Sequence, residues 1–416
     1  MGIKNYSTDT NVFQAAQSRI VYTFDNFERI TVSFSGGKDS SVMLHLVMAE
    51  AIKRKRTVAV MVIDFEAQYT ATAAHVKEML ELYRDNIEPH WICLPISLRN
   101  AVSNFQPKWL CWDKSLRDDW VREYPDFEGV ITDSDFYPWF VDGMEFEEFI
   151  ILFADWYGQG ERSANFIGIR ADESLNRFRT IASEKKEMME DRKWTTLAVD
   201  QSYNIYPIYD WKTQDIWIYH SKYPDRPHNK IYDLMHQAGI APSQQRLCQP
   251  YGDDQKRGLW LYHILEPDTW YKVVARVNGA NSGALYVQES GSVSGSRIIS
   301  KPEGHTYQSF CNLLLATMPK VTREHYIEVF RKWMTGWKER GYEDGIPDEA
   351  PRVLEKKYWA PSYRRLCRVL LRNDWWCKGL GQTQPKSEAY QKFKAMKKAK
   401  KEAAEGEPLL EGVSCD

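Results

Sequence analysis

The segment Ser33-Phe34-Ser35-Gly36-Gly37-Lys38-Asp39-Ser40-Ser41 constrains this chain more than any other. The run Arg29-Ile30-Thr31-Val32 before it reads as a strand, and Val42-Met43-Leu44-His45-Leu46-Val47 after it as the start of a buried helix. A strand, a Gly-rich turn and a helix N-terminus together make an anion site. Glycine lets the backbone approach an oxyanion, and the first N–H groups of a helix point at it. Ser35, Ser40 and Ser41 add hydroxyls, Lys38 adds a charge, and Asp39 or Ser40 is placed to cap the helix. The common phosphate loop puts four residues between its first Gly and a Gly-Lys-Ser/Thr, whereas here Gly36-Gly37-Lys38 runs into Asp39.

The alternation continues on both sides. Residues 12–28 read as a helix leading into a strand at about 30–34, and the helix after the loop extends to about Arg54-Lys55-Arg56. Thr57 to Ile63 is a continuous apolar run, as an inner strand of a parallel sheet requires, with Asp64 at its end. A helix over 71–85, a strand over 91–96 and a strand over 165–169 follow. The pattern predicts an α/β fold, a doubly wound, mostly parallel, Rossmann-like sheet, with ligands at the C-terminal ends of its strands. Residues 100–160, rich in Trp, Tyr, Phe and Asp, interrupt it as an insertion near the mouth of the site, either a wall or lid or a segment packed on the core. The Gly/Ser-rich stretch 279–304 is a loop or linker, and the pattern after His305 is mainly helical. Two domains follow, 1–300 bearing the loop and 301–416 helical and basic, with a polar tail from about Glu402 that reads as frayed.

Composition narrows the class. No apolar stretch approaches the roughly 20 residues of a membrane span, and Met1 to Ser7 lacks the apolar core of a signal peptide. A cytoplasmic protein without membrane contact is expected. The seven cysteines include no Cys-x-x-Cys pair, which argues against a zinc ribbon, a disulfide framework or an iron–sulfur cluster. The net charge of −2 conceals an asymmetry: residues 320–401 carry 21 Lys and Arg against 10 Asp and Glu. A basic region beside an acidic body suggests a polyanion such as DNA or RNA, or a solvated helical face. Trp333 and Trp337 share a helix face, and Arg364, Arg365, Arg368 and Arg372 share another, beside Tyr358-Trp359 and Trp375-Trp376. That mixture suits nucleic acid, or an amphipathic helix packed on the first domain. The Lys394–Lys401 run reads as a solvated helix end.

Two further blocks follow the loop. Gly168-Ile169-Arg170-Ala171-Asp172-Glu173-Ser174 with Arg177 lies at a strand end. Its arginines suit phosphate or sulfate, Glu173 is placed to orient Arg170, and Ser174 to cap the next helix. Pro207-Ile208-Tyr209-Asp210-Trp211 with Asp215-Ile216-Trp217 is a strand–turn–helix signal, with Asp210 or Thr213 as its cap. In this order, together with Asp64, the three blocks resemble the phosphoadenosine phosphosulfate (PAPS) reductase family of the adenine nucleotide alpha hydrolase superfamily, over roughly residues 20–240. Within it the chain looks closest to the immunoglobulin-binding regulator A type, a branch usually described beside a ParB-like partner.

The resemblance implies an adenine nucleotide, ATP or a PAPS/APS-like molecule, with Mg²⁺ if it is ATP. The binding residues would be Ser33, Ser35, Gly36, Gly37, Lys38, Asp39, Ser40, Ser41, Asp64, Arg170, Glu173, Ser174 and Arg177, with Lys38, Asp39 and Arg170 catalytic and no metal held by protein ligands alone. Adenine or ribose would face the backbone near Ile63-Asp64. ATP would be cleaved between its α- and β-phosphates to adenylate an acceptor, in sulfur-transfer or nucleic-acid-modification chemistry. The alternative is a nucleotide-binding regulator acting with a ParB-like protein, and sulfonucleotide reduction is third. A PAPS reductase carries its nucleophilic cysteine in a C-terminal Glu-Cys-Gly-(Leu/Ile)-His motif, whereas this chain ends Glu411-Gly-Val-Ser-Cys415-Asp416. Cys248, in Arg246-Leu247-Cys248, is the best candidate thiol, although a single cysteine is more often simply buried.

Overall fold

In the computed structural model the described residues are 10–103, 106–184, 186–242, 244–252, 259, 261–277, 280, 301–382 and 395. The Lys394–Lys401 run, the tail from Glu402 with Cys415, and most of the 279–304 stretch lie outside them. The strands are β1 (Arg29–Ser33), β2 (Val58–Ile63), β3 (Ile87–Ile92), β4 (Ser97–Arg99), β5 (Lys108–Leu110), β6 (Val130–Ile131), β7 (Ser163–Ile167), β8 (Thr195–Val199) and β9 (Ser202–Ile205). Seven of them form one sheet in the order β6-β3-β2-β1-β7-β9-β8, parallel except where β8 meets β9. In β2 only Ile63, the last residue, is not fully buried, as the continuous apolar run requires. At the centre Val32 of β1 lies between Val60 and Phe166.

The chain winds outward from β1 through β2 and β3, then returns to the other side of β1 at β7. A crevice for ligands opens where the winding direction reverses, outside the C-terminal ends of β1 and β7. The third strand lies earlier than predicted, over 87–92, because Glu88, Pro89 and His90 hide its apolar pattern and Pro95 interrupts the later run. Pro89 is tolerated inside the sheet because β6 pairs only with Trp91 and Ile92, leaving Pro89 with one neighbouring strand.

The helices of the first part are α1 (Val12–Asn26), α2 (Lys38–Arg54), α3 (Thr70–Leu82), α4 (Phe146–Gly158), α5 (Leu175–Ala182), α6 (Thr213–Lys222), α7 (Ile231–Gln237), α8 (Leu261–Leu265) and α9 (Pro267–Arg276). A reciprocal cap of Asn11 and Gln14 starts α1. The helix of the third block starts at Thr213 with Asp215 accepting from the Lys212 N–H, so neither Asp210 nor Thr213 is its cap. Asp210 instead holds Arg19 through two hydrogen bonds of 2.9 and 2.7 Å, tying α1 to this turn.

The aromatic-rich insertion, expected either as a wall or lid or as a segment packed on the core, packs on the core. Trp109, Trp112 and Trp120 are buried, and β6 joins the main sheet. Lys108, Glu145 and Phe146 meanwhile line a cavity. The keystone is Glu66, fully buried, which accepts from both Arg276 nitrogens at 2.7 and 3.1 Å and from the Trp112 and Val121 N–H groups. A charge placed there is tolerable only because every lone pair direction is answered.

A second hydrophobic cluster spans described residues 307–380, with α10 (Tyr307–Thr317), α11 (Lys320–Lys338), α12 (Arg352–Lys356) and α13 (Tyr363–Leu371). Trp333 and Trp337 belong to it. The basic helix face is covered as well: Arg364 is buried against Glu355 and Glu349, and Arg365 donates to the Ala360 and Gly379 carbonyls at 2.7 and 3.0 Å. These two arginines brace the fold and do not form a surface for nucleic acid. Among the described residues no helix is long and apolar enough to cross a membrane.

Candidate active site

At the C-terminal end of β1 the chain turns through Phe34–Gly37 into α2. Gly36 adopts φ +69°, and a Cβ there would lie 2.9 Å from Thr72 Cγ2 and 3.0 Å from Val76 Cγ2, so the turn needs glycine on two counts. Gly37 is the N-cap, and α2 begins without a side-chain cap, contrary to the expectation for Asp39 or Ser40. The Ser40 and Ser41 hydroxyls bond back to the Gly37 carbonyl at 3.0 and 2.9 Å. A helix start whose N-cap has no side-chain acceptor leaves its dipole for an anion, although the Lys38 N–H is already taken by Tyr232.

The second block meets the first directly. A Cβ on Gly168 would lie 3.1 Å from both Cα and N of Ser40, so the loop after β7 touches the first turn of α2 backbone to backbone. Two residues on, Arg170 is 2% exposed and donates from Nε to Asp39 Oδ1 at 2.6 Å. Asp39 also faces the Lys38 ammonium at 3.4 Å. Burial pushes the Lys38 pKa below its ordinary value, Asp39 opposes the shift, and Arg170 reinforces it. Arg170 Nη1 is buried and has no hydrogen-bond partner in the structure. A buried guanidinium donor is rarely left unanswered.

Several expected residues take other places. Asp64 is 1% exposed; its carboxylate accepts from Trp91 Nε1, the Glu66 N–H and Arg122, and its carbonyl accepts from Trp112. It holds the insertion to the sheet, and Ile63 rather than Asp64 faces the cavity. Glu173 pairs with Arg177, not with Arg170, which Asp39 already holds. Ser174 caps α5 as expected, accepting from the Arg177 N–H at 3.2 Å. The Ser33 hydroxyl donates to Asn165 across β1 and β7. A cavity of about 450 Å³ collects Ser33, Ser35, Gly37, Lys38, Asp39, Ser40, Glu173 and Arg177 at its wall. Gly36, Ser41, Asp64, Arg170 and Ser174 stand behind that wall.

Sequence reasoning missed the segment that covers the loop from the far side. Asn229 donates to the Gly36 carbonyl at 2.9 Å, Tyr232 accepts from the Lys38 N–H at 3.1 Å, and the Lys38 ammonium donates to the Gln245 carbonyl at 3.2 Å. The only signal was the Asn-Lys-Ile-Tyr start of a short amphipathic helix, indistinguishable from any other helix start. Cys248, expected to be buried, is exposed on the cavity wall beside Arg246 and Leu247. In that position the thiol can meet a ligand, which a buried one cannot.

The chain is similar to known proteins over most of its length. A family model described as the phosphoadenosine phosphosulfate reductase domain matches residues 29–107 and 154–238, and a domain of unknown function matches 239–360. The uncharacterized protein YbdN of Escherichia coli is 41% identical over 405 residues, 97% of this chain and 98% of that protein. Among solved structures, a phosphoadenylyl-sulfate reductase from Candida auris is 15% identical, covering 56% of this chain and 94% of that one, with a TM-score of 0.31. An FMN adenylyltransferase from Candida glabrata in complex with ATP is 15% identical, covering 56% of this chain and 63% of that one, with a TM-score of 0.32.

Proposed function

Because the chain belongs to the family of the E. coli protein YbdN and carries a PAPS reductase domain of the adenine nucleotide alpha hydrolase superfamily, we propose that it binds ATP at the loop 33–41 and cleaves it between the α- and β-phosphates to adenylate an acceptor. The observation that carries this reading is the buried, unanswered Nη1 of Arg170, fixed by Asp39 beside an uncapped helix start. Lys38 and Arg177 on the cavity wall, with Arg170 directly behind Asp39, then turn three cations toward one phosphate chain.

The acceptor oxygen attacks the α-phosphorus, the bond from that phosphorus to the bridging oxygen breaks, and pyrophosphate leaves with the electron pair. Negative charge grows on the departing oxygens, and Lys38 and Arg170 are fixed to meet it without reorganising, since both are already held by Asp39. Among the described residues no three His, Cys, Asp or Glu side chains gather into a metal cage, so Mg²⁺ would enter on the phosphates themselves. Bound there, it would supply positive charge to the leaving pyrophosphate. The soluble interior of a cell, where ATP is abundant, is the compartment this reading assigns.

The test is pyrophosphate release from Mg·ATP by wild type, Asp39→Asn and Arg170→Met, with ATP affinity measured by calorimetry. Release lost in both variants supports the reading. Binding without release from the wild type, under any acceptor tried, would favour a nucleotide-responsive regulator that acts through a protein partner.

One observation favours a second reading. Cys248 lies exposed in the same cavity, so a PAPS-like nucleotide could meet a thiolate there. The thiolate would attack sulfur, the sulfur–oxygen bond to phosphate would break, and the nucleotide would leave with the electron pair, giving an S-sulfonated cysteine. Mass spectrometry after mixing with PAPS reads this directly: a gain of one SO₃ at Cys248 supports it, and an unmodified Cys248 removes it.

A further inference from the structure

The cavity at the loop opens sideways into a second one of about 500 Å³. The two share Ser35, Ile63, Phe65, Phe146, Arg177 and Cys248 as a common boundary. Beyond it the wall changes character: it is built by Arg99 and Lys108 of the β4–β5 hairpin, by Tyr262 of α8, and by Trp376 and Lys378 from the C-terminal helical region. The hairpin is what brings that region here. Arg99 donates from Nη1 to the Asn100 and Pro107 carbonyls and from Nη2 to the Asn373 carbonyl, each at 2.7 Å, and its guanidinium lies 5.6 Å from the Trp375 ring centre. Trp375 is in turn stacked on His325 at 3.7 Å, and Asn373 donates back to the Ser103 carbonyl.

The charges of this chamber are asymmetric in a useful way. Each carboxylate on the two chambers has a partner: Asp39 has Arg170 and Lys38, Glu145 has Lys108, Glu173 has Arg177, and Glu147 is engaged as well. Among the described residues, none of the carboxylates lining the two chambers is left unpaired as a ready base for an incoming hydroxyl or amine. The Lys378 side chain, by contrast, is exposed and makes no ion pair with any described residue. An exposed ammonium in a chamber also lined by Phe65, Phe146, Tyr262 and Trp376, beside a cavity whose described carboxylates are all partnered, suits an acceptor that arrives already ionised and has an apolar body.

We infer that the second chamber is the acceptor site and that it takes a small organic anion, a carboxylate or similar oxyanion on an apolar or aromatic frame, drawn in by the positive charge of Lys378. The inference rests on the adenylation reading and names its substrate class. The anion's own oxygen attacks the α-phosphorus, so a new phosphorus–oxygen bond forms as pyrophosphate departs, and no proton moves. The C-terminal region thereby completes the site and sets which acceptor enters.

The test uses the full chain and two fluorescent probes with a similar aromatic frame, anilinonaphthalene sulfonate, which is an anion, and N-phenylnaphthylamine, which is neutral. Binding is titrated for wild type, Lys378→Gln and Lys378→Glu, with and without saturating Mg·ATP, after matched melting curves show that each variant folds. The expected result is one anionic probe per chain, retained in the presence of ATP and weakened at least tenfold by Lys378→Glu, about 1.4 kcal/mol, with the glutamine variant between. The neutral probe should bind all three alike. Equal binding of the anion by wild type and Lys378→Glu, or its full displacement by ATP, would overturn the inference. So would displacement by a 5′-phosphorylated oligonucleotide at lower concentration than by benzoate, which would give the chamber to nucleic acid. These titrations need no turnover, so absent pyrophosphate release counts against adenylation alone.

Discussion

Gly168→Ala tests the contact on which the site depends. The φ of Gly168 lies outside the left-handed region, so alanine meets no torsional strain there and the effect is one of space alone. Its Cβ would sit 3.1 Å from Ser40 N and Cα and 3.3 Å from the Asp39 carbonyl carbon, against an ordinary contact of 3.4–4 Å. All three are backbone atoms of the first turn of α2, which cannot swing aside as a side-chain tip can, so the loop after β7 must retreat by a few tenths of an ångström. Overpacking of this kind costs about 1–3 kcal/mol. Without ligand, part of that is relieved by the retreat itself. With ATP bound, Arg170 and the helix start must close on the same phosphates, and the relief is lost. If most of the penalty falls on the bound form, Kd rises by about 5- to 150-fold. Calorimetric titration with Mg·ATP, alongside a melting curve, gives both parts. Wild-type affinity together with a wild-type melting temperature would refute the close approach of the two loops.

Two further outcomes follow from other parts of the fold. Gly336, inside α11, has nothing within 4 Å of where a Cβ would be, so Gly336→Ala should stabilise the chain by about 1 kcal/mol; chemical denaturation of the second core should show a higher midpoint, and an unchanged or lower one would contradict the packing. Burial lowers the pKa of His45 to about 4, of His75 to about 3 and of His220 to about 4. The unfolded chain then takes up protons near the ordinary value of 6.5 while the folded chain does not, so stability is full above that pH and falls as pH drops from about 6.5 toward 4, by about 1.4 kcal/mol for each pH unit per histidine. Denaturant midpoints at pH 7, 5.5 and 4.5 should decrease in that order, and a flat series would rule the buried neutral histidines out.

The parts legible in sequence were those fixed by short-range chemistry. A run such as Val58–Ile63 admits one environment, and a turn through Gly36-Gly37 into an apolar helix admits one geometry. The sheet, its doubly wound character and the strand–turn–helix around Gly36-Gly37 could therefore be read directly. Asp64 misled because a carboxylate at a strand end looks the same whether it meets a ribose or the distant Trp91 and Arg122. Glu173 misled in a related way, since two arginines compete for it and the choice depends on Asp39, 134 positions earlier. The face of Arg364 and Arg365 stayed open between a polyanion surface and a packed helix because a helical wheel shows which residues share a face but not whether that face is covered. Asn229, Tyr232 and Gln245 carry no motif, and only the tertiary fold places them on the loop.

The ion pair of Glu66 with Arg276 has a consequence for how this protein can be divided. The reductase-domain match stops at residue 238, yet the partner of a carboxylate at the heart of that domain lies 38 residues further on. A fragment ended at the match would strand Glu66 in an apolar interior, a loss of about 3–5 kcal/mol for a buried pair deprived of one member, and would also remove Gln245 from Lys38. The unit inherited as a sequence pattern and the unit that folds do not coincide, and a fragment cut at the pattern's edge will report on a damaged phosphate loop.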